Sequence, residues 1–298
     1  MAIDFTGCHV PLITPFKDDL SLDEPGLRKL VNHFIDEEKV DGLVPCGTTG
    51  ESPTLTNAEH DRVIEIVVEE TAGRVPVIAG TGSNSTREAI ERTKHAEAAG
   101  ADASLQVGPY YNRPTQGGLI AHFEAVAAAT GLPLIIYNIP ARTGRNIEPA
   151  TVLKLAEIDN IIGVKDAAND LSQTMEIIGA TAGLSEPFYV LAGEDAMTFA
   201  SCCLGGHGAV SAVANVIGRE YTELCGLAIS GETAQARAIH YQTLPLVKAL
   251  FIESNPVPVK AALAMMGLPA GPPRLPLVPL SPASEKVLAR ALKEVGRI

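Results

Sequence analysis

The sequence predicts one closed (β/α)₈ barrel carrying a C-terminal helical extension, and three observations predict it. Short β-rich runs recur eight times with helical stretches between them, at residues 8–14, 42–46, 75–79, 103–107, 134–137, 161–165, 188–191 and 208–211. Most of these runs are almost wholly apolar, with no polar alternate, as expected of parallel strands covered on both faces. The rival architecture, a doubly wound open sheet, should show Gly-x-Gly-x-x-Gly after its first strand, and that fingerprint is absent. The 298 residues also suit a fold that commonly takes about 250 residues as one unit.

Each helical stretch has start and stop signals. Ser21 and Asp23 precede Leu27-Leu30-Val31-Phe34, Thr56 with Glu59 precedes Val63-Ile64-Val67, and Ser85 or Thr86 precedes Ala89-Ile90. Gly73, Gly100, Gly131 and Gly183 fall where helices should close, a place that suits the left-handed conformation of glycine. The eight units fill residues 1–230. From 231 to 298 three more helices are predicted, over 232–251, 256–266 and 281–295, with a Pro-rich connection at 271–279. These should pack on the barrel or on another subunit, since no low-complexity linker separates them.

Composition bounds the chemistry. Hydrophobic residues make up 46% of the chain, with 27 glycines and no tryptophan, which supplies the small branched side chains that fill a barrel interior. A formal charge of -12, from 23 basic and 35 acidic residues, argues against nucleic acid or an anionic membrane as partner. No run approaches the roughly 18 apolar residues of a membrane span, and the N-terminus has no basic segment leading an apolar one, so a cytoplasmic location is expected. Cys8, Cys46, Cys202, Cys203 and Cys225 show no CxxC spacing, and the seven histidines show no ligand spacing, so neither a disulfide framework nor a metal site is expected. Cys46, beside a Gly-Thr-Thr-Gly turn, reads as a buried small residue rather than a nucleophile.

In a barrel the reacting groups gather at the carboxyl ends of the strands, so polar residues that end apolar strands are the first candidates. Ile161-Ile162-Gly163-Val164-Lys165 ends in a lysine at a position that would otherwise be core. An amine must be neutral to attack a carbonyl, yet from a pKa near 10.4 only about one lysine in a thousand is neutral near pH 7.5. Burial in the barrel mouth would reduce that handicap of roughly 4 kcal/mol. Tyr137 closes the preceding strand, where its phenol can exchange a proton with an imine; alone it would read as a core aromatic. Gly47-Thr48-Thr49-Gly50 follows the second strand, and its backbone N–H groups and two hydroxyls can hold a carboxylate without net charge. Arg142, five residues beyond Tyr137, can clamp a second carboxylate, although an isolated loop arginine is more often a solvated charge.

Five segments taken together, GTTGES at 47–52, GPYYNRP at 108–114, YNIPARTG at 137–144, GVKDA at 163–167 and GGHGAVS at 205–211, resemble the dihydrodipicolinate synthase and N-acetylneuraminate lyase superfamily. The double threonine, the YYNR pair and the arginine after YNIP are most similar to its dihydrodipicolinate synthase branch. The resemblance implies condensation of pyruvate with aspartate 4-semialdehyde, without metal or organic cofactor. It makes Lys165 the Schiff-base residue and Tyr137 the proton-transfer group, with Thr48 and Tyr111 completing a relay. Thr49 and the backbone near Gly47 would hold the pyruvate carboxylate, Arg142 that of the aldehyde, and Val210 and Gly193 would line the substrate site. It further implies a homotetramer in which Tyr111 enters a neighbouring site, and a lysine-binding regulatory site at Ser52, Pro53, Asn57, His60, Asn84, Glu88 and Tyr110. Asn57 and Pro53 depart from the usual histidine and alanine of lysine-sensitive relatives.

Two other readings compete. A related aldolase or dehydratase acting on a sialic acid or sugar-derived keto acid would use the same lysine and tyrosine, but such a polyhydroxylated substrate gains little from Arg142. A non-catalytic barrel binding a small acid would leave the lysine, tyrosine and threonine at three strand ends unexplained.

Overall fold

The computed structural model describes residues 3–298. Eight strands form one parallel sheet: β1 (Gly7–Pro11), β2 (Gly42–Val44), β3 (Ile78–Gly80), β4 (Ala103–Val107), β5 (Leu134–Asn138), β6 (Ile161–Asp166), β7 (Tyr189–Ala192) and β8 (Gly208–Val210). Sequence neighbours pair around the ring except β2 and β3, and β1 pairs with β8. The seam between β2 and β3 is narrow. It is closed by a bridge between Leu43 and Val77, with Leu43 N donating to Pro76 O at 3.0 Å and Gly80 N to Pro45 O at 2.9 Å. The eight runs are therefore the staves of the expected barrel, and closure removes the free sheet edges.

Some strand limits differ from expectation, for local reasons. The third strand begins at Ile78 rather than Val75, because Pro76 has no N–H and the Val77 N–H goes to the Asp102 carboxylate at 2.8 Å. The first ladder stops at Pro11, three residues before Thr14.

Helices cover the outer face: α1 (Glu24–Asn32), α2 (Asn57–Thr71), α3 (Thr86–Ala99), α4 (Gln116–Ala127), the single turn α5 (Pro140–Thr143), α6 (Pro149–Leu155), α7 (Leu171–Thr181), α8 (Thr198–Cys203) and α9 (Ala214–Ile229). Their starts follow the sequence. Asp23 accepts from Gly26 N, Thr56 and Glu59 form a reciprocal capping box, and Ser85 accepts from Glu88 N. Gly73 and Gly100 take the left-handed conformation at φ 71° and 89°. Gly131 and Gly183 do not. Helices α4 and α7 end on right-handed Ala128 and Ala182, and a tight turn closes each, Ala129 N to Val126 O and Leu184 N to Thr181 O, both at 3.1 Å.

The lumen is filled by small branched side chains, among them Val44, Ile78, Leu105, Ile135, Leu191 and Val210. A second apolar layer lies between strands and helices. Beyond α9 come α10 (Thr233–Leu250), α11 (Val257–Met265) and α12 (Pro282–Glu294), each within one residue of the expected limits. Leu246, Leu250, Leu263 and Leu288 of these helices share one buried cluster with Leu27 and Val216.

A buried ion pair fastens this C-terminal segment to the barrel. The Lys260 ammonium on α11 donates to Glu51 Oε1 at 2.7 Å, to Thr14 O at 3.1 Å and to Pro272 O at 3.0 Å, with both side chains at most 2% exposed. The second Glu51 oxygen accepts from Arg274 N at 2.9 Å. Burial lowers the pKa of Lys260 and the Glu51 charge opposes that shift. Breaking such a pair from one side leaves the other charge uncompensated. Lys260→Met should therefore lower the unfolding free energy by about 3–5 kcal/mol, and a denaturant titration showing a loss below about 1 kcal/mol would contradict this assignment.

Candidate active site

Lys165 and Tyr137 stand side by side because of strand register. They are paired residues of β6 and β5, and the parallel pleat turns both into the lumen near its carboxyl end. The next pair, Asp166 and Asn138, turns outward, where Asn138 Nδ2 donates to Asp166 Oδ1 at 3.0 Å. Asp166 also accepts from Thr174 Oγ1 at 2.9 Å and Ala168 N at 3.2 Å, which pins the two strand ends to the helix layer behind them. The Lys165 ammonium nitrogen sits 4.1 Å from the centroid of the Tyr137 ring. Lys165 is 6% exposed and Tyr137 5%.

Burial decides the protonation of both groups. Stripped of water, the Lys165 amine is pulled down to about 8; the Asp195 carboxylate opposes that shift and the Arg142 charge adds to it. The Tyr137 phenol is pushed up by burial, against the opposing effects of the Arg142 charge and a hydrogen bond with Thr48. Buried Asp195 is raised to about 6, although it accepts hydrogen bonds from Ser211 Oγ and from Val213 N at 3.3 Å.

A cavity of about 240 Å³ opens over Lys165, and Gly47, Thr48, Thr49, Tyr137, Arg142, Gly193, Asp195, Val210 and Asn255 are among its walls. Gly193 is needed there as glycine, because a Cβ on it would come within 3.0 Å of the Lys165 stem and 2.9 Å of Ala167 Cβ. Arg142 reaches out from α5 and donates to Asn255 O at 3.3 Å. A second cavity, of about 230 Å³, shares Gly47, Thr48, Tyr137 and Arg142 with the first and runs on to Ser52, Pro53 and Tyr110 between the apolar walls of Leu105, Val107 and Ile139.

The site thus brings together Lys165, Tyr137, Thr48, Thr49, Arg142, Gly47, Gly193 and Val210. Tyr111 stands apart. It is 90% exposed, with its backbone in the left-handed region at φ 72°, and it lines neither cavity of its own chain. Of the expected regulatory residues, Ser52, Pro53 and Tyr110 share the second cavity, and Asn57 and Glu88 meet at Arg92. His60 is fully buried with its ring against Gly80 O at 2.9 Å, and burial lowers its pKa to about 4. The Arg92 guanidinium already pairs with Glu88 at 3.1 Å and with Asn57 Oδ1 at 3.2 Å. Ser83 takes the other Glu88 oxygen, and the Asn84 carbonyl accepts from Asn112 at 2.8 Å. The Cys46 thiol is buried, donates to His60 O at 3.5 Å and is pushed up in pKa, the opposite of an activated nucleophile.

Sequence reasoning missed Asp195 and Asn255. Asp195 stands three residues beyond the end of β7, so it lies past the strand end to which the rule that exposed Lys165 applies. Asn255 carried no signal, because it joins the site from the segment between α10 and α11, 206 residues from its partner Thr49.

The 4-hydroxy-tetrahydrodipicolinate synthase of Syntrophobacter fumaroxidans is 50% identical over 295 residues, 99% of this chain and 100% of that protein. The crystal structure of dihydrodipicolinate synthase from Thermotoga maritima superposes with a TM-score of 0.96 at 40% identity, covering 99% of both chains. That of the Cyanidioschyzon merolae enzyme with lysine bound gives 0.95 at 41% identity, again over 99% of each. The profile of the dihydrodipicolinate synthetase family matches residues 4–295, and the chain belongs to that family.

Proposed function

We propose that the chain is a 4-hydroxy-tetrahydrodipicolinate synthase, joining pyruvate to L-aspartate 4-semialdehyde with loss of one water. The observation that carries this is the buried Lys165 amine, 4.1 Å from the Tyr137 ring in the mouth of a closed barrel. With a pKa of about 8, roughly a quarter of the Lys165 amines are neutral near pH 7.5, against about one in a thousand for a solvated lysine.

The neutral amine attacks the pyruvate carbonyl, and Tyr137, beside Thr48 in the cavity wall, passes the protons that carry the hydroxyl away as water. The resulting iminium withdraws electrons, so a methyl proton is lost and an enamine forms. Its terminal carbon attacks the aldehyde carbon, whose carboxylate Arg142 can grip bidentately. The amine of the second substrate then displaces Lys165 and closes the ring, which regenerates the free lysine. Thr49 and the Gly47 backbone suit the pyruvate carboxylate, and the Arg142 charge favours a substrate with a second carboxylate over a long polyhydroxylated one, which gains little from it.

We read Tyr111 as serving a neighbouring subunit, since it projects from its own chain into solvent and leaves its own cavities unfilled. A homotetramer in the cytoplasm fits that arrangement and the small anionic substrates. Glu88 and Asn57 are engaged by Arg92, which leaves no free carboxylate to receive a lysine ammonium there, so we propose an enzyme without lysine feedback.

Borohydride reduction in the presence of pyruvate should add the mass of a reduced pyruvate adduct to Lys165 in the wild type and nothing in Lys165→Ala. An unmodified wild-type mass would overturn the proposal, and turnover of N-acetylneuraminate comparable to that of the aldehyde would overturn the substrate. Free lysine at millimolar concentration should leave the condensation rate unchanged in a coupled assay; saturable inhibition would show that Arg92 yields its partners.

A further inference from the structure

The carboxylate-binding loop is held by a residue from outside the barrel. Asn255, 7% exposed, lies between α10 and α11, and its Nδ2 donates to Thr49 Oγ1 at 2.9 Å. Its backbone oxygen meanwhile accepts from Arg142 Nη2 at 3.3 Å. One residue of the C-terminal segment therefore touches the groups assigned to both substrate carboxylates.

The direction of the first bond matters chemically. A hydroxyl whose oxygen accepts a hydrogen bond still has its own proton to give. Among the described residues no protein oxygen takes the Thr49 proton, although Thr49 is only 3% exposed and forms part of the wall over Lys165. A donor feeding a hydroxyl that in turn donates to an anion makes a polarised chain, stronger than its separate links. Nearby, the Lys260 and Glu51 pair fixes the same loop two residues further on, where Glu51 takes a left-handed φ of 54°.

We propose that Asn255 is a positioning residue which, by donating to Thr49 Oγ1, turns the Thr49 hydroxyl proton into the cavity to hold the carboxylate of the keto acid. This rests on the function proposed above. Asn255 bonds to Thr49 and Arg142 and not to Lys165 or Tyr137, so its loss should weaken pyruvate binding and spare the chemistry.

Two substitutions separate donor direction from packing. Asn255→Ala removes the donor and should raise the pyruvate KM about tenfold, with kcat and the aldehyde KM held within about threefold, since one hydrogen bond is lost and the backbone contact to Arg142 remains. Asn255→Asp is nearly isosteric but only accepts when ionised. It should reverse the Thr49 hydroxyl and raise the pyruvate KM further than Asn255→Ala does, increasingly so as pH rises. A purely structural role predicts the opposite order, and an aspartate variant milder than the alanine variant overturns the proposal. Should the aspartate variant fold poorly, Thr49→Val supplies the same test. In that background Asn255→Ala should add less than about twofold to the pyruvate KM, because both changes act through one hydroxyl, and independent, multiplying effects would overturn the idea. Borohydride trapping on the wild type keeps the two layers apart: no adduct at Lys165 removes the functional reading and this proposal together, whereas an adduct with the wrong order of variants removes this proposal alone.

Discussion

The desolvation of one amine is the constraint on which the rest of the site depends. Lys165 occupies a strand position that the barrel would otherwise give to an apolar side chain, and the closed sheet denies its ammonium bulk water. The resulting fall in pKa is a differential free energy of about 3 kcal/mol between charged and neutral forms, which must be carried by the stability of the surrounding barrel. Asp195 limits the fall, so that the amine stays partly protonated near neutral pH rather than neutral throughout. Gly193 leaves room for its stem, and the outward bonds of Asn138 and Asp166 hold the two strand ends in register.

Much of this was legible in the sequence because barrel strands have few ways to be written. Eight apolar runs with capped helices between them leave little choice of fold, and a lysine or tyrosine that ends such a run is conspicuous against Ile, Val and Leu. The burial of His60 was also readable, since it lies three, four and seven residues before Val63, Ile64 and Val67 on the apolar face of α2. Its placement in a regulatory site came from the resemblance alone, and the side chain faces inward.

What was not legible shares a physical cause. Asn255 with Thr49, and Lys260 with Glu51, are separated by 206 and 209 residues, and no periodicity or spacing connects positions that meet only when the last helices fold back over the barrel mouth. Glycine placement failed at Gly131 and Gly183 for a different reason: a tight turn can end a helix without a left-handed residue, and the two endings share the same sequence signal. Arg92 could not be weighed from sequence either, because its meaning lies in the two partners it already holds.

The C-terminal segment thus does more than cover apolar surface. It brings a buried cation to Glu51 and an amide to Thr49, both on the loop that follows β2, so the stability of the last helices and the geometry of the site are coupled. The central claim, however, concerns the amine itself. A titration of the Lys165 ε-methylene carbon by NMR, assigned by comparison with Lys165→Arg, should give a midpoint near pH 8 in the free enzyme. A midpoint near the ordinary lysine value of about 10.4 would contradict the account, because the amine would then be solvated and the barrel would not have prepared it for attack.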